Sequence, residues 1–273
     1  MFAPLRLLFL VACLLLPSLP AHAQSELVLG VSEGTSGGLD HARVIAKYGG
    51  LANALGKALN RPVAVVFARE FSMLESGIQR GVFDLVFARP SDYPARAMRD
   101  NGYQFVASAD PQGQCVVVVA KDAPISALDG AKGKRWVVPE AVSYMARFCA
   151  AELRDRGIQL ATEKVLRVRE QGAVPFYLDN NFADVGVVAS YSGVAKNVGK
   201  TGHRIIHKSI SQPYFPLVAS RKFSADQVQA MQRALNALPE HDAGREVLQT
   251  IGVKAFDTTT GERLRALPGW LGV

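Results

Sequence analysis

Residues 80–88 read Arg80-Gly81-Val82-Phe83-Asp84-Leu85-Val86-Phe87-Ala88, and residues 180–188 repeat the pattern as Asn180-Asn181-Phe182-Ala183-Asp184-Val185-Gly186-Val187-Val188. Each segment predicts the end of a helix, a turn and a short buried strand that begins at an aspartate. We expect the two aspartates to satisfy the backbone of these turns. A chain that builds the same unit twice is predicted to form two similar α/β lobes, and the cleft between two lobes is a usual place for a ligand.

Strand-like and helix-like patterns alternate along the rest of the chain. The predicted strands are 27–31, 63–67, 84–88, 105–108, 115–120, 135–138, 165–168, 184–188 and 217–219, with a further strand-like segment around His203 and His207. The predicted helices are 40–59, 72–80, 91–101, 143–156, 173–180 and 224–238, with a short helical turn at 126–130 and smaller helices near 244–250 and 260–267. This order predicts an α/β fold in which each lobe is a mostly parallel sheet flanked by helices.

Two segments predict crossovers between the lobes. The first is the turn-forming cluster Asp110-Pro111-Gln112-Gly113-Gln114, and the second is Gln212-Pro213-Tyr214-Phe215-Pro216. These crossovers place a discontinuous first lobe at 24–113 and 213–273 and a second lobe at 114–212.

The N-terminus has the pattern of a secretory signal peptide. Arg6 precedes an apolar run at 7–16, which is too short to span a bilayer, and Ala21-His22-Ala23 forms a small-residue cleavage site. We therefore expect residues 1–23 to be removed and the mature chain to be exported to the periplasm. Leu10-Val11-Ala12-Cys13 resembles a lipoprotein cleavage box, but the apolar run continues through Cys13, so a lipid anchor is the weaker alternative.

Charge and histidine spacing exclude several classes of function. The chain has 273 residues and a formal net charge of +7, of which Arg6 contributes one, but it has no basic run interleaved with aromatic residues. Binding to nucleic acid is therefore not indicated. The histidines show no metal-ligand spacing beyond the pair His203 and His207, so neither a metal nor another cofactor is predicted.

Two cysteines remain after the expected cleavage, Cys115 and Cys149. Both fall in the predicted second lobe, one on a strand and the other in the middle of a helix. They can form a disulfide in an oxidising compartment, or they can be two buried free thiols, and both alternatives stay open. The chain has no Cys-x-x-Cys pattern, so redox catalysis is not supported.

Several polar residues lie where open α/β sheets bind ligands. Arg89 follows a strand at its carboxyl end and offers a bidentate donor for an anion, although it can instead pair with Asp92 or with the other lobe. Ser143 begins a helix, where it can bind an anion or serve as a plain N-cap, and Tyr144 can line the pocket or pack. Further candidates from strand ends, loops and the glycine-rich loop are Thr35, Ser36, Tyr93, Gln171 and Tyr214.

The same glycine-rich region allows an enzymatic alternative. Gly30-Val31-Ser32-Glu33-Gly34 matches the Gly-x-Ser-x-Gly pattern of a hydrolase nucleophile, with His203 and His207 as later partners. The pattern follows the first strand of the mature chain instead of a central strand, so a periplasmic serine hydrolase is the weakest alternative and no enzyme is predicted.

Four motifs in order resemble the periplasmic phosphate/phosphite/phosphonate-binding proteins of ABC importers. They are Tyr48-Gly49-Gly50-Leu51-Ala52-Asn53-Ala54-Leu55, Asp84-Leu85-Val86-Phe87-Ala88-Arg89-Pro90-Ser91-Asp92-Tyr93, Ile125-Ser126-Ala127-Leu128-Asp129-Gly130-Ala131-Lys132-Gly133-Lys134-Arg135 and Ala183-Asp184-Val185-Gly186. The resemblance implies a two-lobed type II clamshell that closes on a small anionic solute, a permease partner at the inner membrane and action as a monomer. The rival function for the same fold is a sensory module for a membrane signalling partner.

The chain departs from the family pattern at the expected ligand positions. The family's Ser-Thr-Ser turn falls on Ala141-Val142-Ser143, its histidine on Gln171 and its aromatic hydroxyl on Phe71. Arg89 replaces a glycine and Asp92 a serine, and the motifs add Phe71 and Ser91 to the candidate residues. The expected ligand is therefore a phosphonate- or phosphate-like oxyanion, or a sulfonate or carboxylate.

Overall fold

The computed structural model describes residues 25–34 and 40–273. The expected signal peptide and the candidates Thr35 and Ser36 lie outside the described residues. The strands are β1 (Leu27–Ser32), β2 (Val63–Phe67), β3 (Leu85–Ala88), β4 (Gln104–Gly113), β5 (Cys115–Ala120), β6 (Arg135–Pro139), β7 (Lys164–Val168), β8 (Val185–Ala189), β9 (His203–Lys208), β10 (Gln212–Ala219) and β11 (Ala255–Asp257). The helices are α1 (His41–Leu59), α2 (Phe71–Gln79), α3 (Asp92–Asn101), α4 (Tyr144–Asp155), α5 (Val174–Asp179), α6 (Gly193–Asn197), α7 (Ala225–Ala237), α8 (Asp242–Ile251) and α9 (Gly261–Leu271).

The strands form two sheets. The first has the order β11-β4-β10-β3-β1-β2, and the second has the order β7-β6-β8-β5-β9. Helices α1–α3 and α7–α9 pack with the first sheet, and α4–α6 pack with the second. We call these two units the first and the second lobe. Among the described residues, no helix is long and apolar enough to span a membrane.

Both sheets are mixed, so the prediction of mostly parallel sheets is wrong. In the first sheet β1 is parallel to β2 and β3, but β10 is antiparallel to β3 and β4. In the second sheet β6 is parallel to β7 and β8, but β5 is antiparallel to β8 and β9. Apart from β11, which is antiparallel to β4, the antiparallel pairs involve the strands that carry the chain between the lobes, namely β4, β5, β9 and β10. A strand that leaves a sheet and a strand that returns beside it must run in opposite directions, and hydrophobic periodicity carries no information on direction.

The predicted crossover turns are parts of long strands. Strand β4 continues through Asp110 and Pro111, which are joined by a cis peptide bond, to Gly113, and β5 begins two residues later. Strand β10 includes the whole segment predicted as the return crossover. The turn-forming composition of these segments is therefore compatible with extended backbone, because sheet partners on the neighbouring strands outweigh local preference.

The two aspartates of the repeated segments have the same structural role, but the backbone that their carboxylates satisfy is that of a neighbouring strand and not that of the turn, as had been expected. The Asp84 backbone N–H donates to Val28 O at 2.9 Å, and its carboxylate accepts the Val28 N–H at 2.8 Å. Asp184 makes the same pair of bonds with Arg135, at 2.8 and 2.9 Å. Each aspartate therefore joins the start of one strand to the start of its parallel neighbour, β3 to β1 and β8 to β6.

Replacement of Asp184 by asparagine is expected to reduce the loss of stability in acid. Arg135 donates from its side chain to both carboxylate oxygens, and these hydrogen bonds hold the pKa of Asp184 below its usual value. A lowered folded-state pKa contributes stability above the unfolded pKa, near 3.9, and this contribution is lost as the pH falls through the folded pKa. Urea unfolding at pH 6 and pH 2.5 should show a smaller pH-dependent fall in the free energy of unfolding for Asp184→Asn than for the wild type. The exposed Glu246, changed to glutamine, is the control, and an equal fall in all three proteins would contradict the assignment.

Apolar packing continues from one lobe to the other. One cluster includes Val86 and Val218 of the first sheet and Val117 and Val185 of the second. Helix α9 of the first lobe packs against α4 of the second, with the Trp270 ring 5.3 Å from that of Phe148. The lobes are therefore in contact in this structure.

The structure resolves the alternatives for the two cysteines in favour of a disulfide. The sulfurs of Cys115 and Cys149 are 2.09 Å apart, and their Cα atoms are 5.3 Å apart. The bond joins the first residue of β5 to the middle of α4, so it ties the helix that begins at Ser143 to its own sheet.

Candidate functional site

A small cavity lies between the lobes at the carboxyl ends of two adjacent parallel strands. Glu33 directly follows β1 and Arg89 directly follows β3. The opposite wall is the beginning of α4. The residues that line the cavity are Glu33, Gly34, Phe71, Arg89, Pro90, Ser143, Tyr144, Met145, Gln171 and Tyr191. Its volume of about 40 Å³ is far below the several hundred Å³ of a drug-sized site, so it fits a ligand with few non-hydrogen atoms.

A buried ion pair forms the first-lobe wall. An Arg89 guanidinium nitrogen lies 2.9 Å from a Glu33 carboxylate oxygen, and the two side chains are 21% and 3% exposed. The guanidinium carbon lies 5.3 Å from the ring centre of Phe215 and 6.0 Å from that of Tyr214. Arg89 thus forms an ion pair with Glu33. The alternative pairing with Asp92 does not occur among the described residues, where Asp92 pairs with Arg147.

Glu33 accepts from two further donors on α1. Lys47 Nζ lies 2.6 Å from the same carboxylate, and the Tyr48 hydroxyl donates to it. Burial disfavours the charged carboxylate, but the charge of Arg89 and the contacts with Lys47 and Tyr48 outweigh it and hold the pKa of Glu33 below its usual value. Burial, together with the charge of Glu33, raises the pKa of Tyr48. The cluster of Glu33, Lys47 and Arg89 therefore carries one positive charge in excess at neutral pH.

The second-lobe wall offers hydrogen-bond donors at a helix N-terminus. Ser143 caps α4 by accepting the Ala146 N–H at 3.2 Å, so the expected plain N-cap is present and its hydroxyl hydrogen is still available. Tyr144 is 6% exposed and lines the cavity. Its hydroxyl is near Ser91 Oγ, but neither oxygen has a hydrogen-bond partner of acceptable geometry among the described residues. Burial raises the pKa of Tyr144, so its phenol stays protonated and can donate.

Gln171 is fixed beside this wall. Its side-chain carbonyl accepts the Ala189 N–H at 2.7 Å, at the end of β8. This bond leaves the amide group as the donor end of the side chain. Three types of neutral donor, namely a serine, a tyrosine and an amide, thus face the cavity from the second lobe.

An ion pair joins the lobes beside the cavity. Arg147 on α4 donates to the carboxylate of Asp92, the first residue of α3, and also to Val142 O at 2.7 Å. The Asp92 side chain is fully buried, and burial raises its pKa in spite of the nearby charges of Arg147 and Arg96. Tyr191 and Tyr214 stack across the same boundary with ring centres 4.1 Å apart.

Loss of the Arg147 side chain is expected to open the ligand-free protein. Arg147→Met removes the ion pair with Asp92, which is the charged contact between α3 and α4. Small-angle X-ray scattering should then give a larger radius of gyration for Arg147→Met than for the wild type. The matched control is Arg96→Met, because Arg96 lies on α3 but pairs at 2.8 Å with Glu75 of its own lobe. Identical scattering from Arg147→Met and the wild type would show that the pair does not hold the lobes together.

The structure brings half of the sequence candidates to one cavity. Those that line it are Phe71, Arg89, Ser143, Tyr144 and Gln171. Tyr93 lies behind Phe71, with ring centres 5.5 Å apart, and Tyr214 lies behind Arg89 and Tyr191. Ser91 is buried next to Tyr144 and is not part of the lining. Thr35 and Ser36 remain outside the described residues.

Sequence reasoning missed Glu33, Met145 and Tyr191. Glu33 could have been found, because the rule that selected Arg89 at the end of β3 also applies to the end of β1. Tyr191 lies in the loop after the second repeated segment, at the place that Tyr93 has after the first. Met145 gave no signal, since an apolar residue in an amphipathic helix is typical of any core.

The contacts of the hydrolase candidates do not form a catalytic site. Ser32 is fully buried, and its hydroxyl accepts the Gly34 N–H at 3.4 Å. His203 lies beside Thr201 and Asp179, and His207 bonds to Glu152, all in the second lobe. Within the described ranges no group of three or more histidine, cysteine, aspartate or glutamate residues could hold a metal ion.

Comparisons with known proteins identify a matching family and a shared fold. Residues 38–264 match the family model described as the phosphonate periplasmic substrate-binding protein of ABC transporters. No curated protein matches the chain.

Three solved structures from different bacteria share the fold. XAC2383 from Xanthomonas citri bound to ATP is 17% identical, with a TM-score of 0.71 over 91% of this chain and 97% of that one. PhnD1 from Prochlorococcus marinus in complex with methylphosphonate is 14% identical, with a TM-score of 0.67 over 90% and 96%. The periplasmic aliphatic sulphonate binding protein SsuA from Escherichia coli is 16% identical, with a TM-score of 0.58 over 90% and 82%. The predicted two-lobed type II fold is thereby confirmed, with mixed sheets in both lobes.

Proposed function

The chain belongs to the family of phosphonate periplasmic substrate-binding proteins of ABC transporters, and we propose that the cavity between its lobes binds a small oxyanion for delivery to a membrane permease. Membership of this family supports solute binding over the sensory and hydrolase alternatives. The family also implies the periplasm as the compartment and a permease as the partner.

The observation that carries the proposal is the convergence of donors from both lobes on one cavity. Arg89 reaches it from the first lobe, and Ser143 and Tyr144 reach it from the second at the start of α4. The excess positive charge near Glu33 and the positive end of the α4 dipole both favour an anion. A ligand that contacts both walls stabilises the closed arrangement, because it binds that state better than the open one.

We propose a tetrahedral oxyanion with a small substituent as the ligand. Among the fold relatives, PhnD1 is bound to methylphosphonate and SsuA is a sulphonate-binding protein. XAC2383 is bound to ATP, but a cavity of about 40 Å³ favours a far smaller molecule here. The proposed contacts are Arg89, Ser143, Tyr144, Gln171 and Phe71, with Ser91, Tyr93 and Tyr214 as the layer behind them and Thr35 and Ser36 as further candidates from the sequence.

The organisation of the mature protein completes the proposal. We propose lobe boundaries at 24–113 with 213–273 for the first lobe and at 114–212 for the second, and the membership of the strands in two sheets supports this division. We also propose that a signal peptide is removed after Ala23 and that the mature protein acts as a monomer.

A thermal-shift screen of residues 24–273, preceded by native mass spectrometry for a ligand that copurifies, tests this function. The screen contains phosphite, phosphate, methylphosphonate, methanesulfonate and dicarboxylates, with a neutral sugar as the control. A ligand at a hundredfold excess over its Kd stabilises by about 2.7 kcal/mol, which raises the Tm of a protein of this size by about 5–10 °C. At least one tetrahedral oxyanion should do so. Equal melting temperatures with every anion and with the sugar would overturn the proposal.

A further inference from the structure

The first-lobe wall of the cavity contains a carboxylate, which is unexpected for an anion site. Glu33 is 3% exposed in its side chain and lines the cavity next to Arg89. A negative charge at this position repels an anionic ligand, and the repulsion is strong in a buried site because solvent screens it little. The presence of Glu33 therefore affects which anions the cavity can accept.

The charges at this wall can be counted. The charged side chains that act on Glu33 are Arg89 and Lys47, at 2.9 and 2.6 Å. The tyrosines that face the cluster are Tyr48, Tyr191 and Tyr214, and burial raises the pKa of each, so they stay neutral near physiological pH. The neighbouring segment Thr35-Ser36-Gly37-Gly38-Leu39 carries no charged residue. The charges of Asp92 and Arg147, which form an ion pair beside the cavity, cancel each other.

The wall therefore has a net charge of +1, and the N-terminus of α4 adds roughly half a charge. A ligand with one negative charge neutralises the cluster. The second charge of a dianion would exceed the net positive charge that the described residues of the wall supply, and in a buried site it would lose its hydration without compensation.

We propose that Glu33 is a specificity-determining residue that makes the cavity select singly charged oxyanions over doubly charged ones of the same shape. This inference rests on the proposed function and narrows its ligand class to sulfonates, monoesters of phosphonates, and the monoprotonated forms of phosphonates and phosphite. Glu33 acts by reducing the positive charge of the wall, and Arg89 supplies the charge that remains.

The test compares two ligands of nearly equal shape, methanesulfonate and methylphosphonate, by titration calorimetry at pH 8.5 and pH 6. Methanesulfonate has one charge at both pH values, whereas methylphosphonate has mainly two charges at pH 8.5 and gains a proton toward pH 6. We expect methanesulfonate to bind the wild type at least tenfold more tightly at pH 8.5 and this ratio to fall at pH 6.

Two variants change the charge of the wall in opposite directions. Glu33→Gln raises it to +2, and Lys47→Met lowers it to zero. Relative to the wild type, the ratio of methylphosphonate to methanesulfonate affinity at pH 8.5 should rise at least tenfold in Glu33→Gln and fall in Lys47→Met. Since Lys47 is 24% exposed and contacts Glu33 from outside the cavity lining, Lys47→Met keeps the test decisive if Glu33→Gln does not fold.

The outcomes separate this inference from the proposed function. Equal affinities for the two ligands at pH 8.5, or a ratio that neither variant moves, would overturn the role of Glu33 while the solute-binding function stands. Absence of binding by either ligand and by every other anion of the screen would overturn the function itself.

Discussion

Replacement of Arg89 by methionine is expected to weaken the binding of the best anionic ligand by about 1.5–3 kcal/mol, the contribution of a hydrogen bond to a charged group. This corresponds to a roughly 10- to 150-fold rise in Kd. The guanidinium is the charged donor of the first-lobe wall, and methionine keeps much of its packing against Phe215. Titration calorimetry of the two proteins measures the difference.

The same substitution also removes a partner of a buried carboxylate. Loss of one member of a buried ion pair commonly costs about 3–5 kcal/mol of folding stability, but Lys47 and Tyr48 still contact Glu33, so a smaller cost is expected. The double variant Arg89→Met/Glu33→Gln separates the two effects. It should regain stability in urea unfolding. Its affinity should recover only in part, because the wall again carries a charge of +1 from Lys47 but lacks the guanidinium donors. If Arg89→Met bound the ligand as well as the wild type, Arg89 would serve only to pair with Glu33.

Removal of the disulfide by Cys115→Ala/Cys149→Ala is expected to lower the free energy of unfolding by about 3–4 kcal/mol. The bond closes a loop between cysteines 34 residues apart, and this closure restricts the unfolded chain. Ligand affinity should fall as well, because Cys149 Sγ lies 3.6 Å from the sulfur of Met145, which lines the cavity. Urea unfolding with and without a reducing agent gives the measurement.

Reduction provides the control for this prediction. The reduced wild type should unfold at the same urea concentration as the double variant, and the reducing agent should leave the double variant unchanged. A wild type whose unfolding midpoint does not respond to reduction would contradict a stabilising disulfide.

The parts of the fold that depend on local pattern could be predicted from the sequence. The repeated segments at Asp84 and Asp184 correctly indicated two α/β units. In each unit the aspartate carboxylate accepts a backbone N–H at the start of the neighbouring parallel strand. Helices α1 and α7 lie where apolar periodicity predicted helices at 40–59 and 224–238, and the side chains of Asp40 and Ser224 cap their first turns. Strand direction could not be predicted, because it depends on which distant strand each segment meets.

The candidate site, too, could be predicted from the sequence only in part. Arg89 and Ser143 were selected by their positions at a strand end and at a helix start, and both line the cavity. The ion pair of Asp92 with Arg147 joins residues 55 positions apart on different lobes, and no spacing rule relates them. Contacts of this kind arise only when the lobes meet, so they require the tertiary structure.

The Tyr144 hydroxyl offers the most direct test of the claim that a small oxyanion binds between the lobes. It is buried in the cavity wall beside Ser91 Oγ, and neither oxygen has a hydrogen-bond partner of acceptable geometry among the described residues. We therefore assign the Tyr144 hydroxyl to the ligand. Titration calorimetry of the best oxyanion should give one site per chain for the wild type. Tyr144→Phe should raise the Kd roughly tenfold or more, as expected for a lost hydrogen bond to a charged group. The control Tyr177→Phe, on α5 outside the cavity lining, should bind as the wild type does. Equal affinity of Tyr144→Phe and the wild type would contradict the account.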